Sequence, residues 1–204
     1  MSKIKICGLT RQEDIRIVNE VLPDYIGFVF AESRRQVKDD QAKQLKRMLS
    51  PKIKAVGVFV NDNPRHIAEL CDQGIIDLVQ LHGDETEDYI KSLRAVTKKE
   101  IIKAVRVKNA ADITQAFHSG ADYLLLDAFH KEQYGGSGVA FDWSMISKPV
   151  RSYFLAGGLN EGNIVQAVRQ YQPFAVDVSS GVETDGRKDN QKIRTIISKV
   201  RSVE

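Results

Sequence analysis

The sequence predicts an α/β fold: one small (β/α)8 barrel around a closed sheet of parallel strands. Three observations predict it. Short apolar runs recur eight times, at residues 3–7, 25–30, 54–60, 77–81, 101–106, 122–127, 152–156 and 174–178. Their starts are 21 to 30 residues apart, about one βα unit each. The runs are continuously apolar rather than alternating, as in parallel strands covered by helices on the outside. At 204 residues the barrel is below the usual size of about 250, so its loops must be short. An open doubly wound sheet shares the alternation. It usually has fewer strands and often a GxGxxG turn, which this chain lacks.

The intervals between runs read as helices. Residues 39–49 are amphipathic and stop before Pro51. Residues 63–72 open on Asn63-Pro64 and are followed by Gly74; residues 109–119 repeat the pattern with Asn109 and Gly120. Residues 161–170 and 189–200 complete the set, and eight strands imply eight helical intervals. No linker or low-complexity tract divides the chain, so residues 1–204 are expected to form one domain.

Composition removes several classes. Lys+Arg is 30 against Asp+Glu 27, a net charge of +3, with no basic tract suited to nucleic acid. No apolar run approaches a membrane span, and the N-terminus is too polar for a secretory signal. Two cysteines, Cys7 and Cys71, make neither a disulfide framework nor a CxxC metal pattern. A reduced, cytoplasmic setting is expected. The histidines, at 66, 82, 118 and 130, show no HxH or HExxH spacing, so no metal site is expected.

Barrel chemistry sits at the C-terminal ends of the strands. Ionisable and small residues gather there: Cys7-Gly8, Ser33-Arg34-Arg35, Asn61-Asp62, His82-Gly83-Asp84-Glu85, Arg106, Asp127, Gly157-Gly158 and Ser179-Ser180-Gly181. The strand starts are mostly Lys, Asp and Tyr, with no comparable set. Glycines after strand 7 let backbone approach a ligand, and the hydroxyls after strand 8 face the same place. Loops after strands 7 and 8 bind substrate phosphate in many barrels. The segment Gly135-Gly136-Ser137-Gly138 reads equally as a closing lid or as an ordinary loop. A lone cysteine such as Cys7 is more often a small hydrophobe than a nucleophile or base. Its place at a strand end facing the pocket keeps the base reading open. Asp127, after three leucines, reads either as a cap or as a carboxylic acid held protonated.

Lys5-Ile6-Cys7-Gly8-Leu9-Thr10 resembles the opening motif of the phosphoribosylanthranilate isomerase family of the tryptophan pathway. The resemblance runs on through Gly27-Phe28-Val29-Phe30, Ser33-Arg34-Arg35, Val79-Gln80-Leu81-His82-Gly83 and Tyr134-Gly135-Gly136-Ser137-Gly138. It ends in Ala156-Gly157-Gly158-Leu159-Asn160 and Asp177-Val178-Ser179-Ser180-Gly181-Val182-Glu183. It implies a small TIM barrel and an Amadori rearrangement of phosphoribosylanthranilate. It implies Cys7 as general base and Asp127 as general acid. Arg35 matches the arginine that holds the anthranilate carboxylate, although Arg34 stands beside it where relatives often carry Pro or Lys. His82 and Asp177 match pocket residues near the ribose. Gly157, Gly158, Ser179, Ser180 and Gly181 match the phosphate cradle. A proton donor and acceptor suffice, so neither metal nor organic cofactor is implied. The implied partner is the small-molecule substrate, with the chain a monomer or a homodimer. Rival readings are a related sugar-phosphate isomerase or epimerase, and a catalytically silent barrel serving as a scaffold.

Overall fold

A computed structural model describes residues 2–128, 143–146 and 152–203. Eight strands form a closed parallel barrel in sequence order. They are β1 (Lys3–Cys7), β2 (Tyr25–Val29), β3 (Lys54–Phe59), β4 (Leu78–Leu81), β5 (Glu100–Val107), β6 (Tyr123–Ala128), β7 (Tyr153–Leu155) and β8 (Ala175–Val178). The expected strands match β1 and differ from the others by one residue at one or both ends. Ring closure pairs β1 with β8, Lys5 standing in register with Asp177. The described helices are α1 (Gln12–Val21), α2 (Asp39–Met48), α3 (Pro64–Asp72), α4 (Glu87–Val96), α5 (Ala110–Ala116), α6 (Ile164–Tyr171) and α7 (Asn190–Arg201). Eight helical intervals were expected and seven α-helices lie among the described residues. The interval after β6 contributes a 3-10 turn at Trp143–Met145. The 135–138 segment and His130 lie outside the described residues.

Local signals explain the helix starts. Asn63 caps α3 by accepting from the Arg65 N–H, with Pro64 in the first turn. Asn109 caps α5 in a capping box with Asp112. α1 has no such residue: Arg11 stands at its N-cap, and Asp14 accepts from the Thr10 and Arg11 N–H groups instead. Its C-cap, Leu22, adopts a left-handed conformation (φ 51°) without glycine.

Two apolar cores follow from the pleat. Even-numbered residues of β1, such as Ile4 and Ile6, face the helices and join one continuous outer core. A separate cluster fills the barrel: Tyr25, Val56, Leu78, Ile102, Leu125 and Phe154 are buried inside. Phe154 is the plug, its ring meeting Tyr25, Tyr123 and Phe174 edge-on at 5.6 Å each.

The N-terminal rim has a pattern that the sequence reading passed over. Asp24, Asp77 and Asp122 precede the even strands β2, β4 and β6. Each accepts a backbone N–H at the start of the preceding odd strand: Ile4 at 2.9 Å, Ala55 at 2.7 Å and Ile101 at 2.7 Å. These aspartates satisfy donors at the barrel floor, so that end carries stability and the opposite end is left for chemistry.

Replacing Phe154 with alanine empties the barrel plug and is expected to lower unfolding free energy by about 3–5 kcal/mol. Urea denaturation measures this; a loss below about 1 kcal/mol would show that the interior refills.

Candidate active site

The pleat that packs the barrel also builds the site. Lys5 and Cys7 on β1 share the inward face with Asp177 on β8, Gln80 and His82 at the end of β4, and Asp127 on β6. Below them an apolar cluster fills the barrel, with Lys3 over the Tyr25 and Phe174 rings at its floor; at the C-terminal rim the inward positions are polar.

Cys7 is 7% exposed. Its sulfur has room because Gly27 stands opposite in register: a Cβ there would lie 2.6 Å from the Cys7 Sγ. Beneath it Lys5 is fully buried, and its Nζ donates to Asp177 Oδ2 at 2.9 Å. Burial opposes the lysine charge, but Asp177 and Cys7 outweigh it, so the ammonium pKa is raised. Burial pushes the Cys7 thiol up. The neighbouring Asp177 carboxylate adds to that, and the charges and hydrogen bond of Lys5, with Lys188 behind, pull only part of it back. The resting thiol therefore holds its proton more tightly than an ordinary cysteine. Asp177 Oδ1 is buried without a hydrogen-bond partner among the described residues.

Asp127 stands three strands away from β1 around the ring, 6% exposed. His82 Nε2 lies 3.4 Å from Asp127 Oδ2, within ion-pair reach but without an aligned hydrogen bond. Gln80 explains the ring's orientation. Its side-chain amide nitrogen lies 2.9 Å from His82 Nδ1 and fixes the ring with Nε2 facing Asp127. The loop that carries His82 is itself anchored. Buried Glu85 accepts from the Asn61 N–H at 2.8 Å, the Gly83 N–H at 3.0 Å and the Lys103 ammonium at 2.7 Å.

The carboxylate-binding candidate is held by a device that sequence reading missed. After β8, Glu183–Thr184 (β9) and Arg187–Lys188 (β10) form a two-stranded hairpin. Asp185 (φ 50°) and Gly186 (φ 74°) turn it, a left-handed pair suited to a type I′ turn. Glu183 receives Arg35 through Nε at 2.7 Å and Nη2 at 2.9 Å, Arg34 at 2.9 Å and Lys188 at 2.7 Å. Burial would raise the Glu183 carboxyl; the hydrogen bonds and charges of Arg35 and Lys188 prevail and bring it down to about 2. These pairs thus contribute fully above the ordinary carboxylate range and are lost only as pH falls toward 2. The Arg35 side chain is 13% exposed and that of Arg34 59%, so Arg35 is the more enclosed of the two. Gly8 permits this, since a Cβ there would lie 2.4 Å from Arg35 Cδ.

The loops after β7 and β8 meet closely. Gly157 and Gly158 take left-handed conformations (φ 82° and 67°), which favour glycine. The Gly158 carbonyl accepts from the side chains of Asn160 and Asn163, both at 3.0 Å. A Cβ on Gly181 would lie 1.9 Å from the Leu159 carbonyl oxygen, so only glycine lets the second loop lie against the first. Ser179 Oγ donates to the Cys7 carbonyl at 3.1 Å, and the Lys188 ammonium donates to the Ser179 carbonyl at 2.9 Å. The structure thus gathers Cys7, Asp177 and Ser179 around Lys5 and Lys188, and sets His82 beside Asp127. Lys5, Gly27, Gln80, Glu85, Glu183 and Lys188 had no role in the sequence reading. The Asp185-Gly186 turn was the one legible signal for the hairpin.

Comparison with known proteins agrees with this fold. Residues 4–199 match the family described as N-(5'phosphoribosyl)anthranilate (PRA) isomerase. The N-(5'-phosphoribosyl)anthranilate isomerase of Endomicrobium trichonymphae is 47% identical over 203 residues, covering 100% of both chains. The crystal structure of phosphoribosyl anthranilate isomerase from Thermotoga maritima superposes with a TM-score of 0.89 at 36% identity, covering 98% of this chain and 99% of that one. A phosphoribosyl anthranilate isomerase in complex with reduced 1-(o-carboxyphenylamino)-1-deoxyribulose 5-phosphate superposes at 0.85 and 35% identity, with 98% and 99% coverage. With a closed barrel, a polar C-terminal rim and full-length similarity, this chain belongs to the N-(5'-phosphoribosyl)anthranilate isomerase family.

Proposed function

We propose that this chain, acting as one domain over residues 1–204, converts N-(5'-phosphoribosyl)anthranilate into 1-(2-carboxyphenylamino)-1-deoxyribulose 5-phosphate in tryptophan biosynthesis. One observation carries the reading. A buried thiol and a buried carboxyl stand on different walls of one rim, where the loop after β8 reaches the Cys7 carbonyl and packs against the glycine loop after β7.

The chemistry needs a proton donor and an acceptor on opposite sides of the sugar. Asp127 donates to the furanose ring oxygen as the C1–O bond breaks. The anilino nitrogen lone pair forms the C1=N bond, leaving a protonated Schiff base. Cys7, as thiolate, takes the C2 proton; those electrons form C1=C2 and return the C1=N pair to nitrogen. The enolamine then tautomerises: the C2 hydroxyl gives up its proton, C1 gains one, and the ketone results. His82, whose Nε2 faces Asp127, orients it. The unpartnered Asp177 Oδ1 suits a ribose hydroxyl. Arg35 spends one edge of its guanidinium on Glu183, and its fork suits the anthranilate carboxylate. Gly157, Gly158, Ser179, Ser180 and Gly181 hold the phosphate. The reduced thiols fit the cytoplasm.

The test is turnover of substrate formed in situ from anthranilate and phosphoribosyl pyrophosphate, followed by loss of its fluorescence. Cys7→Ala and Asp127→Asn are each expected to lower kcat by about 10²–10⁴-fold with the fold intact. Near-native turnover in either variant removes that residue from its role, and a silent wild type returns the scaffold reading. Arg35→Ala is expected to raise KM with little change in kcat, whereas Arg34→Ala leaves both nearly unchanged; equal effects would contradict the assignment. Gly181→Ala forces the two loops apart. It is expected to cost about 1–3 kcal/mol of stability and to weaken inhibition by inorganic phosphate. Unchanged phosphate inhibition would place the cradle elsewhere.

A further inference from the structure

Lys5 has no part in the chemistry above, yet it is among the largest fully buried side chains in the molecule. A lysine inside a barrel is costly unless its charge is paired, and it is rarely retained there for packing alone. Its Nζ donates to Asp177 Oδ2 at 2.9 Å, and its charge acts on the Cys7 side chain two residues on. The inward face of β1 places the two residues one pleat apart, and ring closure places Asp177 in register with Lys5. The ammonium is therefore held by the Asp177 carboxylate, one pleat below the Cys7 thiol.

We propose that Lys5 is a positioning residue for proton transfer at Cys7: anchored by Asp177, its buried ammonium directs a donor at the sulfur and receives the thiolate when the proton leaves. The proposal rests on the reading of Cys7 as the base.

The charged surroundings of Cys7 are few and their signs are known. Lys5 comes from its own strand and Asp177 from β8. Lys188 comes from β10, and Glu183 and Arg35 lie behind Lys188. β2 presents Gly27, which has no charge. Lys188 donates to Ser179 and Glu183 on the hairpin side, whereas Lys5 shares the inward face of β1 with Cys7 and is the stronger cation on the thiol. Two variants on one ion pair then act in opposite directions. Removing the Lys5 charge leaves the thiolate beside Asp177 and disfavours it. Removing the Asp177 charge takes away a repelling carboxylate and favours it. A role confined to packing predicts no such sign reversal.

The experiment is a pH titration of thiolate ultraviolet absorbance in a Cys71→Ala background, with the matching Cys7→Ser protein subtracted. The kcat profile is measured alongside. Lys5→Met is expected to raise the Cys7 midpoint by about one pH unit or more, a tenfold lower thiolate fraction at fixed pH, and to carry the kcat profile with it. Asp177→Asn is expected to lower the midpoint. An unmoved midpoint in Lys5→Met overturns the proposal. Where that variant does not fold, Asp177→Asn decides: a lowered midpoint supports the proposal, and a raised or unmoved one overturns it. Near-native turnover in Cys7→Ala overturns the underlying base assignment whatever the midpoints do. An inactive Cys7→Ala with an unmoved Lys5→Met midpoint retires the part of Lys5 alone.

Discussion

The closure of β1 against β8 is the constraint on which the site depends. In a closed barrel every second residue of a strand must face inward, and the register at the seam decides which ones meet. Here the seam sets Lys5 beside Asp177 and leaves Cys7 one pleat above, opposite Gly27. A slip of one residue would turn all of these toward the helices. The buried ion pair is poor evidence of stability, because desolvating two charges offsets much of their attraction. What it does supply is a fixed ammonium in a dry place, where a charge acts strongly on a neighbouring thiol.

The two rims of the barrel divide the work. At the floor, Asp24, Asp77 and Asp122 close off backbone donors, and aromatic rings pack around Phe154. At the top the same strands end in polar and ionisable residues, Cys7, His82, Asp127 and Asp177 among them. Supporting contacts come from the loops: Glu85 ties down the turn behind His82, and Glu183 gathers Arg34, Arg35 and Lys188 from two distant segments. Glycines at 8, 27 and 181 are space-makers, each marking where another group passes within the reach of a Cβ.

The strands were legible because parallel strands buried on both faces are continuous apolar runs with clear ends. Caps such as Asn63 and Asn109 made α3 and α5 legible too. α1 was not, since Arg11 gives no capping signal and its box is completed by Asp14 three residues on. Cys7, Asp127 and the glycine loops stood out as unusual residues at strand ends, while their roles came from family resemblance. Lys5 did not stand out. In Lys3-Ile4-Lys5-Ile6-Cys7 both lysines look alike, and only the register with a strand 172 residues away separates them. Gln80 and Glu85 were hidden for the same reason: their value lies in what they hold, a histidine ring and a turn, and neither contact has a local spacing.

The central claim is that a thiol and a carboxyl on separate walls of one rim move protons on the two sides of a phosphorylated sugar. The most direct measurement is single-turnover decay of phosphoribosylanthranilate deuterated at ribose C2. If Cys7 takes that proton in the chemical step, the deuterated substrate decays more slowly in the wild type, and Cys7→Ala slows the decay by about 10²-fold or more. Identical decay of both isotopologues, or near-native decay in Cys7→Ala, would contradict the claim.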